Sequence, residues 1–322
     1  MIRVLITGGL GFIGHHLSIE LKKNGFDVLI LDNYSHNITK GWHEKIVAER
    51  IQLVNDANIS VIEGDTVNFE QLESILKSEN PQKIVHLAAI PSAIWSNENP
   101  SASFDQNLLA TKNLLEIVRK NSLPIDQFTY FSSSMVYGNF LTPSVDEDSP
   151  KEPLGMYGTA KLCSELFIKT YHRLEGIPYT IIRPSALYGP RCINNRITQK
   201  FVENAILGKK IVIHGDGSQK LDFTFIEDLI AGTVITQVKD EAKNQTFNIT
   251  TGHAEPLSRL TDVLKEYFSE LNIQYTEWDK SRPVRGTLKI NKIKKLGYSP
   301  KYRIDKGYRK YLKWYLDNKI LE

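Results

Sequence analysis

Eight residues near the start, Thr7-Gly8-Gly9-Leu10-Gly11-Phe12-Ile13-Gly14, constrain the fold more than any other stretch of this chain. They follow a β-prone run, Arg3–Thr7, and lead into an amphipathic stretch, Ile13–Lys23. The spacing answers three separate demands. Gly8 permits a tight turn, Gly11 lets a phosphate come close to the backbone, and Gly14 lets helix and strand pack closely. The free amides of the first helical turn, where Phe12 and Ile13 lie, then face an anion along the positive end of the helix dipole. A strand, such a turn and a helix together read as a site for a dinucleotide pyrophosphate.

An acidic residue about twenty positions on completes the pattern: Asp32, in Leu31-Asp32-Asn33. A carboxylate there accepts hydrogen bonds from the adenine ribose and repels a 2′-phosphate, and no Arg follows at once to welcome one. NAD is therefore expected over NADP. Asp65, after the third strand, suits the adenine amino group. In His86-Leu87-Ala88-Ala89 the small residues let the cofactor lie against the backbone, while His86 is read as structural.

Strand-like runs recur at Asp27–Leu31, Ser60–Glu63, Lys83–Leu87, Gln127–Ser132 and Tyr179–Arg183. Helix-like stretches at Phe69–Ser78, Ser101–Lys120 and Tyr157–Leu174 alternate with them. This rhythm predicts an α/β fold: a Rossmann-type doubly wound parallel sheet with helices on both faces. After Pro184 the rhythm is lost, which predicts an NAD-binding domain over 1–183 and a smaller α/β C-terminal substrate lobe over 184–322, with some chain returning to the sheet.

The remaining composition mostly excludes. Cys163 and Cys192 have no partner at disulfide or metal-ligand spacing, so no metal is expected. No apolar run approaches the ~20 residues that span a bilayer, so no membrane contact is expected. Met1 runs straight into a strand, which leaves no room for a leader and predicts a soluble cytoplasmic protein. From Lys280 onward there are ten Lys and four Arg against three Asp and Glu. Without interleaved aromatics or a helix-turn-helix pattern, that run reads as a solvated basic face and not as a nucleic-acid site.

Two further segments carry chemistry. Phe131-Ser132-Ser133-Ser134-Met135-Val136-Tyr137-Gly138 ends a strand, and Tyr157-Gly158-Thr159-Ala160-Lys161 begins a helix. Tyr157 and Lys161, four apart, lie on one helical face. An ammonium beside a phenol favours the phenolate, which makes Tyr157 a candidate base for an alcohol proton.

The order of these segments resembles the extended short-chain dehydrogenase/reductase superfamily, and within it the nucleotide-sugar epimerase/dehydratase group. The likeness covers nearly the whole chain, adding Asn107, Arg183-Pro184, Tyr188-Gly189-Pro190-Arg191, Asp222-Phe223-Thr224 and Arg282-Pro283 to the motifs above. It implies that Ser133 holds the reacting sugar oxygen and that Tyr157 removes its proton as hydride passes to the nicotinamide. Lys161 would bind the nicotinamide ribose, and Asn33, Leu87, Ala88, Ala89 and Asn107 would contact the cofactor. Ser134, Arg191 and Arg282 would meet the substrate. The group's usual homodimer would form through the stretches Ser101–Lys120 and Tyr157–Leu174.

Ser134 and Met135 stand where the group's 4,6-dehydratases carry an Asp-Glu pair, and neither is an acid or base near neutral pH. That favours an NAD-dependent epimerase of a nucleotide-activated sugar, acting at C4. The rivals are a 4,6-dehydratase, a simple sugar oxidoreductase, and an NAD-sensing regulator without catalysis. Two positions depart from the group's pattern: Ala186 where many members have Asn, and Leu221 where an Arg commonly precedes the Asp-Phe pair.

Overall fold

A computed structural model describes residues 1–35, 41–278 and 283–321. Its centre is a sheet of seven parallel strands, numbered in chain order: β1 (Arg3–Thr7), β2 (Asp27–Asp32), β3 (Ser60–Glu63), β4 (Lys83–His86), β5 (Gln127–Phe131), β6 (Tyr179–Arg183) and β7 (Gln245–Asn248). Across the sheet they run β7-β6-β5-β4-β1-β2-β3. The direction of winding reverses between β1 and β4, whose residues pair from Val4 with Lys83 to Thr7 with His86.

Alternate residues of β1 show why helices must cover both faces. Val4 and Ile6 enter one buried cluster with Leu17, Leu21, Leu229 and Ile230, from the helices Phe12–Lys23 and Ile226–Val238. Leu5 enters another with Leu72, Leu114, Leu115 and Ile168, from the helices Phe69–Glu79, Ala110–Lys120 and Met156–Glu175. Each fully buried Leu or Ile stabilises the fold by roughly 1.5–3 kcal/mol, so a period-2 strand buried on both sides fixes this layering.

The stretch read as one helix over Ser101–Lys120 has three parts: Pro100–Phe104 is α-helical, Asp105–Leu109 forms a wider π turn, and Ala110–Lys120 is α-helical again. Within it Asn107 donates to Ser103 Oγ at 3.2 Å, and its carbonyl accepts from Ser164 Oγ of the helix Met156–Glu175 at 2.9 Å. A carbonyl bonded outside its own helix suits the altered ladder of a π turn.

The C-terminal part has its own aromatic core. Tyr188, Phe223, Phe225, Tyr308, Tyr311 and Tyr315 are buried together, with the Tyr188 and Phe225 rings 5.4 Å apart. Short strand pairs frame it, among them Leu187–Tyr188 with Thr224–Phe225 and Ile211–His214 with Ile273–Thr276. The basic C-terminal stretch meets acids of this same lobe, through Arg309 with Glu266 and Lys310 with Glu227. Among the described residues, no helix is long and apolar enough to cross a membrane.

Candidate active site

A winding reversal leaves a crevice beyond the carboxyl ends of the two strands that flank it. At that place lies a cleft of about 380 Å³. Its walls include Gly8, Gly11, Phe12, Ile13, Gly14, Asp32, Asn33, Leu87, Ala88 and Ala89. The turn that builds it is tight: Gly8 has φ +69°, and a Cβ on Gly14 would sit 2.4 Å from the Gly8 carbonyl oxygen. A Cβ on Gly11 would meet only that same oxygen, at 3.1 Å, before projecting into open space. The cradle thus leaves backbone bare where a phosphate would approach.

Asp32 is buried and ties the crevice together. One carboxylate oxygen accepts from the Leu10 amide and the other from the Tyr34 amide, both at 2.9 Å. Each oxygen has a further lone pair for a ribose hydroxyl. Asn33 Nδ2 donates to Asp65 Oδ2 at 3.3 Å, so those two side chains meet at the mouth; Asp65 itself lies beside the lining residues Gly64 and Thr66. Across the floor, Thr7 Oγ1 lies 2.7 Å from His86 Nδ1 and accepts from the Ala88 amide. Burial pushes the His86 ring down to about 3, which keeps it neutral in this network. These donors and acceptors fit NAD. Asn107 stands behind the wall and does not line it; its Oδ1 is buried without a partner among the described residues.

The side chains expected to take part in the chemistry come from the end of β5 and the start of the helix Met156–Glu175. Ser133 has extended backbone and caps a short 3-10 turn, Ser134–Tyr137, its Oγ accepting from the Met135 amide at 3.1 Å. Gly158 lets the helix come against that turn, since a Cβ there would lie 2.9 Å from the Met135 carbonyl oxygen. Tyr157 and Lys161 are both buried. Burial raises the Tyr157 phenol above its ordinary value, while the Arg196 charge and a hydrogen bond with Ser133 pull it back. Lys161 Nζ donates to the Phe131 carbonyl at 2.8 Å and lies 5.8 Å from the centre of the Tyr157 ring. Burial lowers it to about 7, against the pull of Glu165.

The expected substrate residues are more scattered. Ser134 is buried beside Ser133, its amide donating to the Pro184 carbonyl at 2.9 Å. Arg191 is turned away: its Nε donates to Glu49 at 2.8 Å and its guanidinium stacks 6.0 Å from the Trp314 ring centre. A carboxylate partner on the helix Trp42–Asp56 holds it there, and it does not line the cleft. Arg282 lies outside the described residues. Leu221 packs against the C-terminal core, whereas Lys220 is exposed. Ala186 has φ +38°, a left-handed backbone that Asn adopts with less strain than Ala.

Polar residues of the cleft wall that were not foreseen include Arg50, Gln106 and Arg196. None belongs to a motif, and each comes from an element that folding alone brings to the crevice. Arg196 Nη2 donates to the Pro91 carbonyl at 3.3 Å, bridging the C-terminal part to the loop after β4.

Known proteins resemble this chain in sequence and fold. Residues 4–250 match the NAD dependent epimerase/dehydratase family. A putative UDP-glucose 4-epimerase of Methanocaldococcus jannaschii is 32% identical over 98% of this chain and 99% of its own. A dTDP-D-glucose 4,6-dehydratase of Mus musculus is 27% identical over 98% of this chain and 89% of its own. The crystal structure of UDP-glucuronic acid 4-epimerase from Bacillus cereus, in complex with UDP-glucuronic acid and NAD, superposes with a TM-score of 0.89 at 26% identity, covering 98% of this chain and 100% of that one. The chain belongs to the NAD-dependent epimerase/dehydratase family.

Proposed function

We propose that this protein is an NAD-dependent epimerase of a nucleotide-activated sugar that inverts C4 through a transient 4-keto sugar. The observation that carries the reading is the environment of Ser133. A buried Tyr157 and Lys161 stand on one helical face beside it, and the next two residues, Ser134 and Met135, offer no carboxylate for eliminating water. Bound NAD supplies a two-electron acceptor that is restored within each cycle. Ser133 holds the reacting hydroxyl and Tyr157 takes its proton, then returns it when the opposite face of the ketone is reduced. Lys161, protonated, stabilises the phenolate in between; positioned proton transfer of this kind contributes about 10²–10⁴ in rate.

Residues 1–183 would supply the cofactor site and 184–322 most of the sugar-nucleotide site, with Arg282 as a cation for its diphosphate. We also propose a cytoplasmic homodimer. Phe104, Leu166 and Phe167 are exposed on the helices that would meet across a two-fold axis, an apolar patch that a second copy would cover. A monomeric mass by light scattering at micromolar concentration would exclude the dimer.

The deciding experiment incubates the protein with UDP-, GDP-, CDP- and dTDP-sugars and follows the sugar protons by NMR. An epimer at equilibrium, without net NADH, is the expected result. A 4-keto-6-deoxy sugar would assign a dehydratase instead, and stoichiometric NADH a simple oxidoreductase.

A further inference from the structure

Arg50, on the helix Trp42–Asp56, is only 2% exposed and yet forms part of the cleft wall. Its Nε donates to the Arg191 carbonyl at 3.1 Å and its Nη2 donates to the same oxygen. Nη1 has no partner among the described residues. Among the described residues no carboxylate is bonded to this guanidinium: Glu49, its neighbour in sequence, is taken by Arg191. The other polar groups around it do not compensate the charge. His15 and His16 are held neutral by burial, and burial pushes the Cys192 thiol up to about 11.

A buried cation without a bonded counter-charge stays costly even after relaxation, and persists where a ligand supplies the anion. Its position says which anion. Arg50 interacts electrostatically with His15, whose Nδ1 bonds the Gly11 carbonyl in the first turn of the helix Phe12–Lys23. It also feels Asp32, at the ribose end of the cleft. It therefore lines the same cleft as the ribose carboxylate and the bare amides of the glycine turn.

We propose that Arg50 is a second anchor for the cofactor's diphosphate, reaching it with Nη1 alongside the glycine turn. The Arg191 carbonyl fixes the guanidinium plane, so the anchor is set before the dinucleotide arrives. It also ties the cofactor to the segment after Pro190, and so to the C-terminal part of the chain. Lys in this place would keep the charge but not the fork that serves carbonyl and phosphate together.

Calorimetric titration of the purified full-length chain with NADH, ADP and adenosine tests this, comparing wild type with Arg50→Met and Arg50→Lys. Arg50→Met is expected to weaken ADP and NADH at least tenfold and to leave adenosine within twofold. Arg50→Lys is expected to keep part of the preference for ADP over adenosine. Wild-type affinity for ADP should fall with added salt more steeply than that of Arg50→Met. Equal ADP affinity in wild type and Arg50→Met would overturn the proposal. So would an equal loss of ADP and adenosine, which would make Arg50 a prop of the pocket wall. If Arg50→Met does not fold, the ADP-to-adenosine ratio of Arg50→Lys decides: a ratio equal to that of wild type refutes the fork, and a reduced one supports it.

Discussion

Arg183 and Glu165 form an ion pair with no exposed surface to speak of, Nη2 to Oε2 at 2.5 Å and Nε to Oε1 at 2.8 Å. The same Glu165 accepts from Ser132 Oγ at 2.6 Å, and the same Arg183 donates to Tyr137 OH and to the Glu147 carbonyl. One pair thus joins β6, the helix carrying Tyr157 and Lys161, and both flanks of the turn carrying Ser133. Removing one partner strands the other charge in the interior, at a cost of about 3–5 kcal/mol. Glu165→Gln should therefore lower the unfolding midpoint steeply. Replacing both, with Arg183→Met and Glu165→Leu, should recover much of that loss, and urea denaturation of wild type and the two variants measures the difference.

Tyr157→Phe removes the phenol and keeps the ring that packs beside Lys161. If Tyr157 is the base, turnover should fall by about 10²–10⁴ while NAD affinity stays within a few fold. Single-turnover kinetics and calorimetry separate the two effects. Near-normal turnover in this variant would remove Tyr157 from the chemistry.

Lys161 gives a test through pH. Its folded-state value is lowered to about 7, whereas an unfolded Lys titrates near 10.4. Between those values the unfolded chain binds the extra proton, so stability must rise with pH from about 7 toward 10. The slope contributed by this one group is at most about 1.4 kcal/mol per pH unit. Tyr157, raised by burial, opposes only above about 10, where an unfolded Tyr begins to lose its proton. The stability of wild type minus that of Lys161→Met, measured from pH 6.5 to 9.5 without nucleotide, should therefore climb. A flat difference would mean that Lys161 keeps its proton in the fold.

Much of this was legible in the chain itself, for local reasons. β1, β3 and β6 occupy the runs assigned from their Val, Ile and Tyr content: β1 and β6 because a parallel strand buried on both faces is largely apolar, and the half-buried edge strand β3 through Val61 and Ile62. The glycine turn and the Tyr157/Lys161 pair are short motifs whose geometry is set within a few residues. The helix Trp42–Asp56 was not legible: its apolar residues are diluted by charge, and its buried Arg50 looks in sequence like any surface cation. Nor could spacing reveal that Arg191 would find Glu49, 142 positions away. The proposed catalytic pattern is local, whereas the walls of the cleft are tertiary.

Ala186 offers the last test, since it departs from the family pattern and carries a visible strain. At φ +38° its Cβ crowds the following carbonyl, a conformation that costs an L-residue roughly 1–2 kcal/mol and Asn less. The segment is held there because the Ala186 carbonyl accepts from the Thr224 amide, where the strands Leu187–Tyr188 and Thr224–Phe225 begin to pair. Ala186→Asn should keep that backbone and relieve part of the strain, raising stability by about 0.5–1 kcal/mol. Thermal unfolding without ligand reads that gain alone. Titration with UDP then asks a separate question, whether the new amide reaches the nucleotide. A gain in stability with unchanged UDP affinity would mean that Ala186 lies off the nucleotide's path, and that this chain holds its substrate by other groups.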